Sequence, residues 1–170
     1  MESGSDFWRF SLSIYRMDGV PPACLALQDG HGLDVNLMLF SLWLASNGRA
    51  VSAGELREAD DAVSEWRENA VVALRGVRRY LRSPPAAFDA SFAAALRDRI
   101  KSVELESERL QQEALFALRA PDAWGRAETP HAAGPINMDA CAESMGAAFE
   151  NAPRQTILDA YRLLILRGAS

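Results

Sequence analysis

The stretch "LDVNLMLFSLWLASNG", residues 33–48, decides the fold. On a helix, Val35, Leu37, Met38, Leu39, Phe40, Leu42, Trp43 and Leu44 leave almost no polar side. A helix that is hydrophobic all round is buried all round, so this one is expected at the centre of the molecule. Asp34 is placed to cap its start, and Gly48 supplies the left-handed residue that stops it.

The flanking segments complete an all-α chain. Upstream, Phe7, Phe10, Ile14 and Met17 recur at spacings of three and four, a helix opening at Asp6 and ending at "DGVPP", residues 18–22. Pro22 suits the first turn of a short helix reaching about Asp29, which "GHG", residues 30–32, is expected to break. Downstream, "SAGE", residues 52–55, has the form of a capping box. A helical region extends from there to about Arg82, with a bend expected near Asp60 and an inward seam of Val63, Trp66, Ala70, Leu74, Val77 and Leu81. "SPP", residues 83–85, stops it.

The next helix, roughly 88–118, shows Phe92, Leu96, Val103, Leu110 and Ala114 in near-heptad spacing. These are expected to face inward, with Glu104, Glu106, Glu108, Arg109 and Glu113 on the outer face. Two long helices joined by a short proline turn form an antiparallel hairpin. Beyond Arg119, "APDAWGRAETPHAAGPIN" holds three prolines and two glycines with no apolar period, and reads as a loop. Two short helices complete the chain, about 138–150 and 153–166. The expected layout is a helical bundle with the hairpin packed around the buried central helix (1–118), a loop or linker (119–137) and a C-terminal helical appendage (138–170). No strand pattern is visible.

Composition excludes several functions. A net charge of −5 argues against a nucleic-acid binder, which should present a basic surface. Two cysteines, Cys24 and Cys141, make neither a disulfide framework nor a zinc spacing. The N-terminus lacks the pattern of a signal peptide, and no apolar run reaches the ~20 residues that span a bilayer. A reducing cytoplasm is the expected setting, with no membrane contact. No metal or cofactor is implied: there are two histidines, His31 and His131, and no Glu-x-x-His pair.

Two polar features stand out. The first is Gln28, Asp29, His31, Asp34 and Asn36, gathered at the central helix start, where anions are favoured. They read either as a small site, with His31 as acid/base or anion contact and Asp29 orienting it, or as a hydrogen-bonded joint between two helices. The second is "LRGVRRYLR", residues 74–82, whose Arg75, Arg78, Arg79 and Arg82 form a basic stripe. Its guanidinium groups suit phosphates or carboxylates, or else pair with acids such as Asp89 or Asp98. If the two features face each other, they make one anion pocket. Of the tryptophans, Trp8, Trp43 and Trp66 are expected in the core, and loop Trp124 is expected to dock onto the bundle.

The segments "FWRFSLSIYRMDGVPPACLALQDGHGLDVNLMLFSLWLA", "WRENAVVALRGVRRYLR" and "VELESERLQQEALFAL" resemble an uncharacterised all-helical protein family of proteobacteria, a domain of unknown function, over about residues 7–118. The resemblance implies a small, soluble, all-α bacterial protein and carries no catalytic residue. The sequence therefore points first to a non-enzymatic module that binds another protein or a second copy of itself. The alternative is a protein or enzyme that binds a small anionic ligand at Gln28, Asp29, His31, Asp34 and Asn36 with Arg75, Arg79 or Arg82.

Overall fold

The computed structural model describes residues 4–168, so the first three residues of the stretch read for a signal peptide, and residues 169–170, lie outside it. In chain order it contains α1 (Asp6–Tyr15), α2 (Val20–His31), α3 (Val35–Ser46), β1 (Arg49–Ala50), α4 (Ala53–Trp66), a π-helical segment (Arg67–Val72), α5 (Ala73–Tyr80), α6 (Ala90–Leu118), a 3₁₀ turn (Pro121–Ala123), β2 (Arg126–Ala127), α7 (Pro130–Ser144) and α8 (Asn151–Gly168). The fold is all-α, as the apolar periods require. No helix among the described residues is long and apolar enough to cross a membrane.

α3 lies at the centre. Every residue from Asn36 to Ala45 is buried, and Asp34 caps the helix by accepting from the Asn36 amide at 2.9 Å. Phe7, Trp43, Phe116 and Trp124 surround Phe40 and its neighbours in edge, tilted and stacked ring contacts at 5.3 to 5.8 Å. Such pairs add to the burial of the rings themselves. The capping box forms as read, with Ser52 and Glu55 bonding reciprocally. Gly48 sits at φ 73, the left-handed turn out of α3.

Several boundaries move. Ser5, not Asp6, caps α1, because its hydroxyl accepts from the Trp8 amide. α2 does not break at "GHG": it runs through Gly30 and His31, and only Gly32, at φ 68, ends it. The long helix after Ser52 runs uninterrupted through Asp60. Its irregularity is the π segment, whose wider turn shifts the register so that Val71 is buried while Trp66 and Val77 are exposed.

The stretch read as loop up to 137 becomes helix at Pro130. Thr129 caps it, Pro130 occupies the first turn where its missing amide costs nothing, and Pro135 is accommodated inside. α7 packs along α3, and α8 along α2, so both share one apolar core with α1–α4. Gly134 is required there: a Cβ would collide with the buried Tyr161 ring. The unexpected two-residue strands pair antiparallel, Arg49 with Ala127 and Ala50 with Arg126, too short to leave an alternating pattern. Asn137 locks this pair to α3. Its amide nitrogen donates to the carbonyls of Ser41 and Arg49, and its oxygen accepts from Val51. Trp124 docks as expected, fully buried against Phe40, with the Arg119 guanidinium 4.5 Å from its ring centre.

The largest correction concerns α6. The hairpin forms, but α6 is turned about its axis relative to the expectation. Glu104, Ser107, Gln111 and Gln112 face inward, and Phe92, Leu96, Val103, Leu110 and Ala114 face solvent. Glu104 is only 6 % exposed, whereas Phe92 is 78 % exposed. The inward polar face is tolerated because Glu104, Gln111 and Gln112 each find partners on other elements.

Candidate functional site

α1, α2, the start of α3, α5 and α6 enclose a cleft of about 1090 Å³. The two polar features read from the sequence meet in it. Gln28, Asp29, Asp34 and Asn36 line one side, and Arg75, Arg78, Arg79 and Arg82 the other. Arg75 bridges them: it donates to Gln28 at 2.9 Å, to Glu104 at 3.2 Å and to Glu108 at 2.9 Å. Arg78 forks onto both oxygens of Glu104. The arginines thus pair with acids of α6 rather than with Asp89, which caps α6, or Asp98, which meets its neighbour Arg97. Arg79 reaches Asp29 at 3.4 Å across the mouth, both side chains more than half exposed. Arg82 and Lys101 line the mouth and form no ion pair among the described residues.

The cleft floor is a ladder of side-chain amides. Asn36 donates to Gln111 at 3.2 Å and accepts from Gln112 at 2.8 Å, while Gln111 donates onward to Asp34. Arg67, from the π segment, donates to both Asp34 and Asp60. Asn36 and Asp34 are therefore members of a joint between α3, α6 and the π segment. Sequence reasoning does not single out Gln111, Gln112, Glu104 and Glu108 as site residues. The available signal is their own stripe, at 104, 108, 111 and 112, opposite the apolar one.

His31 lies elsewhere. It does not line the cleft. Its Nε2 is 3.8 Å from Glu150, and its ring is 5.9 Å from that of Phe149, beside the start of α8. Asp29, expected to orient it, turns instead to Arg79. The helix continuing through Gly30 separates the two faces.

Burial pushes the Asp34 carboxyl above its ordinary range, against the opposing pull of Arg67, Gln111 and the Asn36 amide. Burial does the same to Glu108, offset in part by Arg75. Burial also acts on Glu104, but the hydrogen bonds and charges of Arg78 and Arg75 outweigh it and leave that carboxyl low. A lowered carboxylate adds stability above its unfolded value and loses it as pH falls. The stability difference between the wild type and Glu104→Gln is therefore expected to be largest above about pH 4.5, the ordinary glutamate value, and to shrink below it. Urea unfolding of both proteins across acid pH checks this; a difference independent of pH would contradict it. Cys24 and Cys141 are buried, and burial raises the Cys24 thiol to about 12 and the Cys141 thiol as well, which disfavours the reactive thiolate.

Residues 6–115 match the model of a family described as a protein of unknown function, DUF2390. No curated protein and no solved structure is similar to the chain. The matched segment runs from α1 almost to the end of α6 and includes every residue lining the cleft. The chain belongs to this family of unknown function.

Proposed function

We propose that the protein acts by binding protein, and that the partner on the outer side of its hairpin is a second copy of the chain. One observation carries this reading: the apolar stripe expected to be buried is uncovered. Phe92, Leu96, Val103 and Leu110 of α6, with Trp66 and Val77 across the hairpin, are all exposed. The Trp66 indole donates to the Ser107 carbonyl at 3.0 Å, which ties it to the same stretch of α6 as Val103 and Leu110. Together they offer roughly 600 Å² of apolar side chain, at the upper end for a patch on a monomer. That approaches the ~800 Å² each partner gives to a standard interface.

The pattern is self-complementary. Leu96, Val103 and Leu110 are seven apart, the spacing of a coiled-coil seam. A two-fold axis at Val103 sets Leu96 against Leu110 of the second copy and brings Arg99 within one residue of its Glu106. Arg99 and Glu106 are exposed, flank the stripe on the same side, and form no ion pair among the described residues. Two hairpins so joined make a four-helix bundle. A reducing cytoplasm suits this reading, since both buried cysteines are free.

Charge reversal tests it. Arg99→Glu or Glu106→Arg alone sets like charges across the axis and is expected to weaken dimerisation about 5- to 10-fold, an effect of the size surface charge pairs give. The double reversal restores affinity to near the wild type. Sedimentation velocity across a dilution series reads it. Additive weakening in the double variant, or a wild type that never dimerises, would overturn the reading.

A further inference from the structure

The cleft lies on the opposite side of the hairpin from the apolar stripe, and its chemistry is independent of it. Arg75 and Arg78 are occupied by Glu104 and Glu108, but the mouth keeps three cations with no close partner or only a loose one: Arg79, Arg82 and Lys101. The inner end has the reverse property. Ser11 and Gln112 line it, each only 3 % exposed, and the Ser11 hydroxyl and the Gln112 carbonyl oxygen have no hydrogen-bond partner among the described residues. A buried hydroxyl and a buried amide oxygen left unpaired are costly, and they mark a place where a ligand can supply what the protein does not. The rings of Trp8 and Tyr15, on either side of Ser11 along α1, also line the cleft.

We propose that this cleft binds a nucleotide, its phosphate held by Arg79, Arg82 and Lys101 and its base directed toward Ser11 and Gln112. Guanidinium and ammonium groups together are the usual phosphate set. A donor hydroxyl and an acceptor amide oxygen lining one cleft suit the mixed donor and acceptor edge of a base. An acyl chain would leave both unpaired, and inorganic phosphate would leave the inner end empty. Eleven residues of α6 separate Lys101 from Gln112, about 16 Å at the helical rise, enough for base, sugar and one or two phosphates end to end. Asp29 offsets Arg79 only loosely, at 3.4 Å between two exposed side chains, and Arg75 and Arg78 neutralise Glu104 and Glu108 deeper in, so Arg82 and Lys101 remain for a phosphate and Arg79 can join them.

Isothermal titration calorimetry of the full chain with AMP, GMP, CMP and UMP, with inorganic phosphate and decanoate as comparators, tests it. At least one nucleotide is expected to bind, and to bind at least about tenfold more tightly than inorganic phosphate. The variant Arg82→Gln/Lys101→Gln, whose side chains are exposed and unpaired, keeps the fold and is expected to lose about tenfold in nucleotide affinity. Ser11→Ala weakens the nucleotide and leaves phosphate unchanged. No binding of any of the four at ~1 mM, an unchanged affinity in the double variant, or binding of decanoate in place of nucleotides would overturn the proposal.

Discussion

Val103→Asp is expected to abolish the dimer. On the proposed two-fold axis the two Val103 side chains face each other, so the substitution sets two carboxylates together in an apolar seam. Each loses water and gains only repulsion, which at an effective dielectric of about 20 amounts to several kcal/mol at contact. The dissociation constant should rise at least about 100-fold, which corresponds to ~2.7 kcal/mol. The monomer itself should be little affected. Val103 is about half exposed on a helix surface, and valine and aspartate have similar helix propensities. Sedimentation equilibrium and urea unfolding of the same sample separate the two effects. A Val103→Asp protein that stays dimeric would mean that the stripe is not the contact.

Trp124→Ala is expected to cost about 3–5 kcal/mol of stability, the range for removing a buried aromatic side chain. The ring is fully buried, meets Phe40 edge-on at 5.4 Å and carries the Arg119 guanidinium above it. Its carbonyl also holds Arg49 at 2.6 Å, so the connection between α6 and α7 is tied to the strand pair. Neighbouring backbone leaves little room to collapse into the cavity. Gly125, at φ 49, already lies so close that a Cβ would collide with the Ala50 carbonyl. Urea unfolding measures the loss. A change below ~1 kcal/mol would show that the ring does not anchor the core.

The elements that sequence specifies best are those where a local rule acts alone. The run at 35–46, apolar on nearly every side, allows only a central helix, Asp34 and the Ser52 box can cap only the helices that begin beside them, and "SPP" can only separate two helices. The two polar features are legible too, and so is the condition under which they form one cleft. Sequence does not decide between two faces of one helix. α6 carries an apolar stripe and a polar stripe, and burial of leucine and phenylalanine favours the first. The polar stripe faces inward because Arg75, Arg78, Asn36 and Asp34 come from distant segments to satisfy Glu104, Gln111 and Gln112. No helical period contains that information. The π segment rotates Trp66 and Val77 outward for the same kind of reason, with Arg67 holding Asp34 and Asp60 at once. His31 departs from its expected place because α2 continues through Gly30, a residue type that often ends a helix, and stops only at Gly32. α7 is hidden by Pro130, which suits its first turn, and by Pro135, which it accommodates inside.

Self-association through the outward-facing stripe of α6 is open to a direct measurement: the mass of the wild-type protein in solution, by sedimentation equilibrium over a wide dilution series. The expected result is a species of twice the 18.6 kDa chain that dissociates on dilution. A single species at the chain mass, unchanged at every concentration, would contradict it.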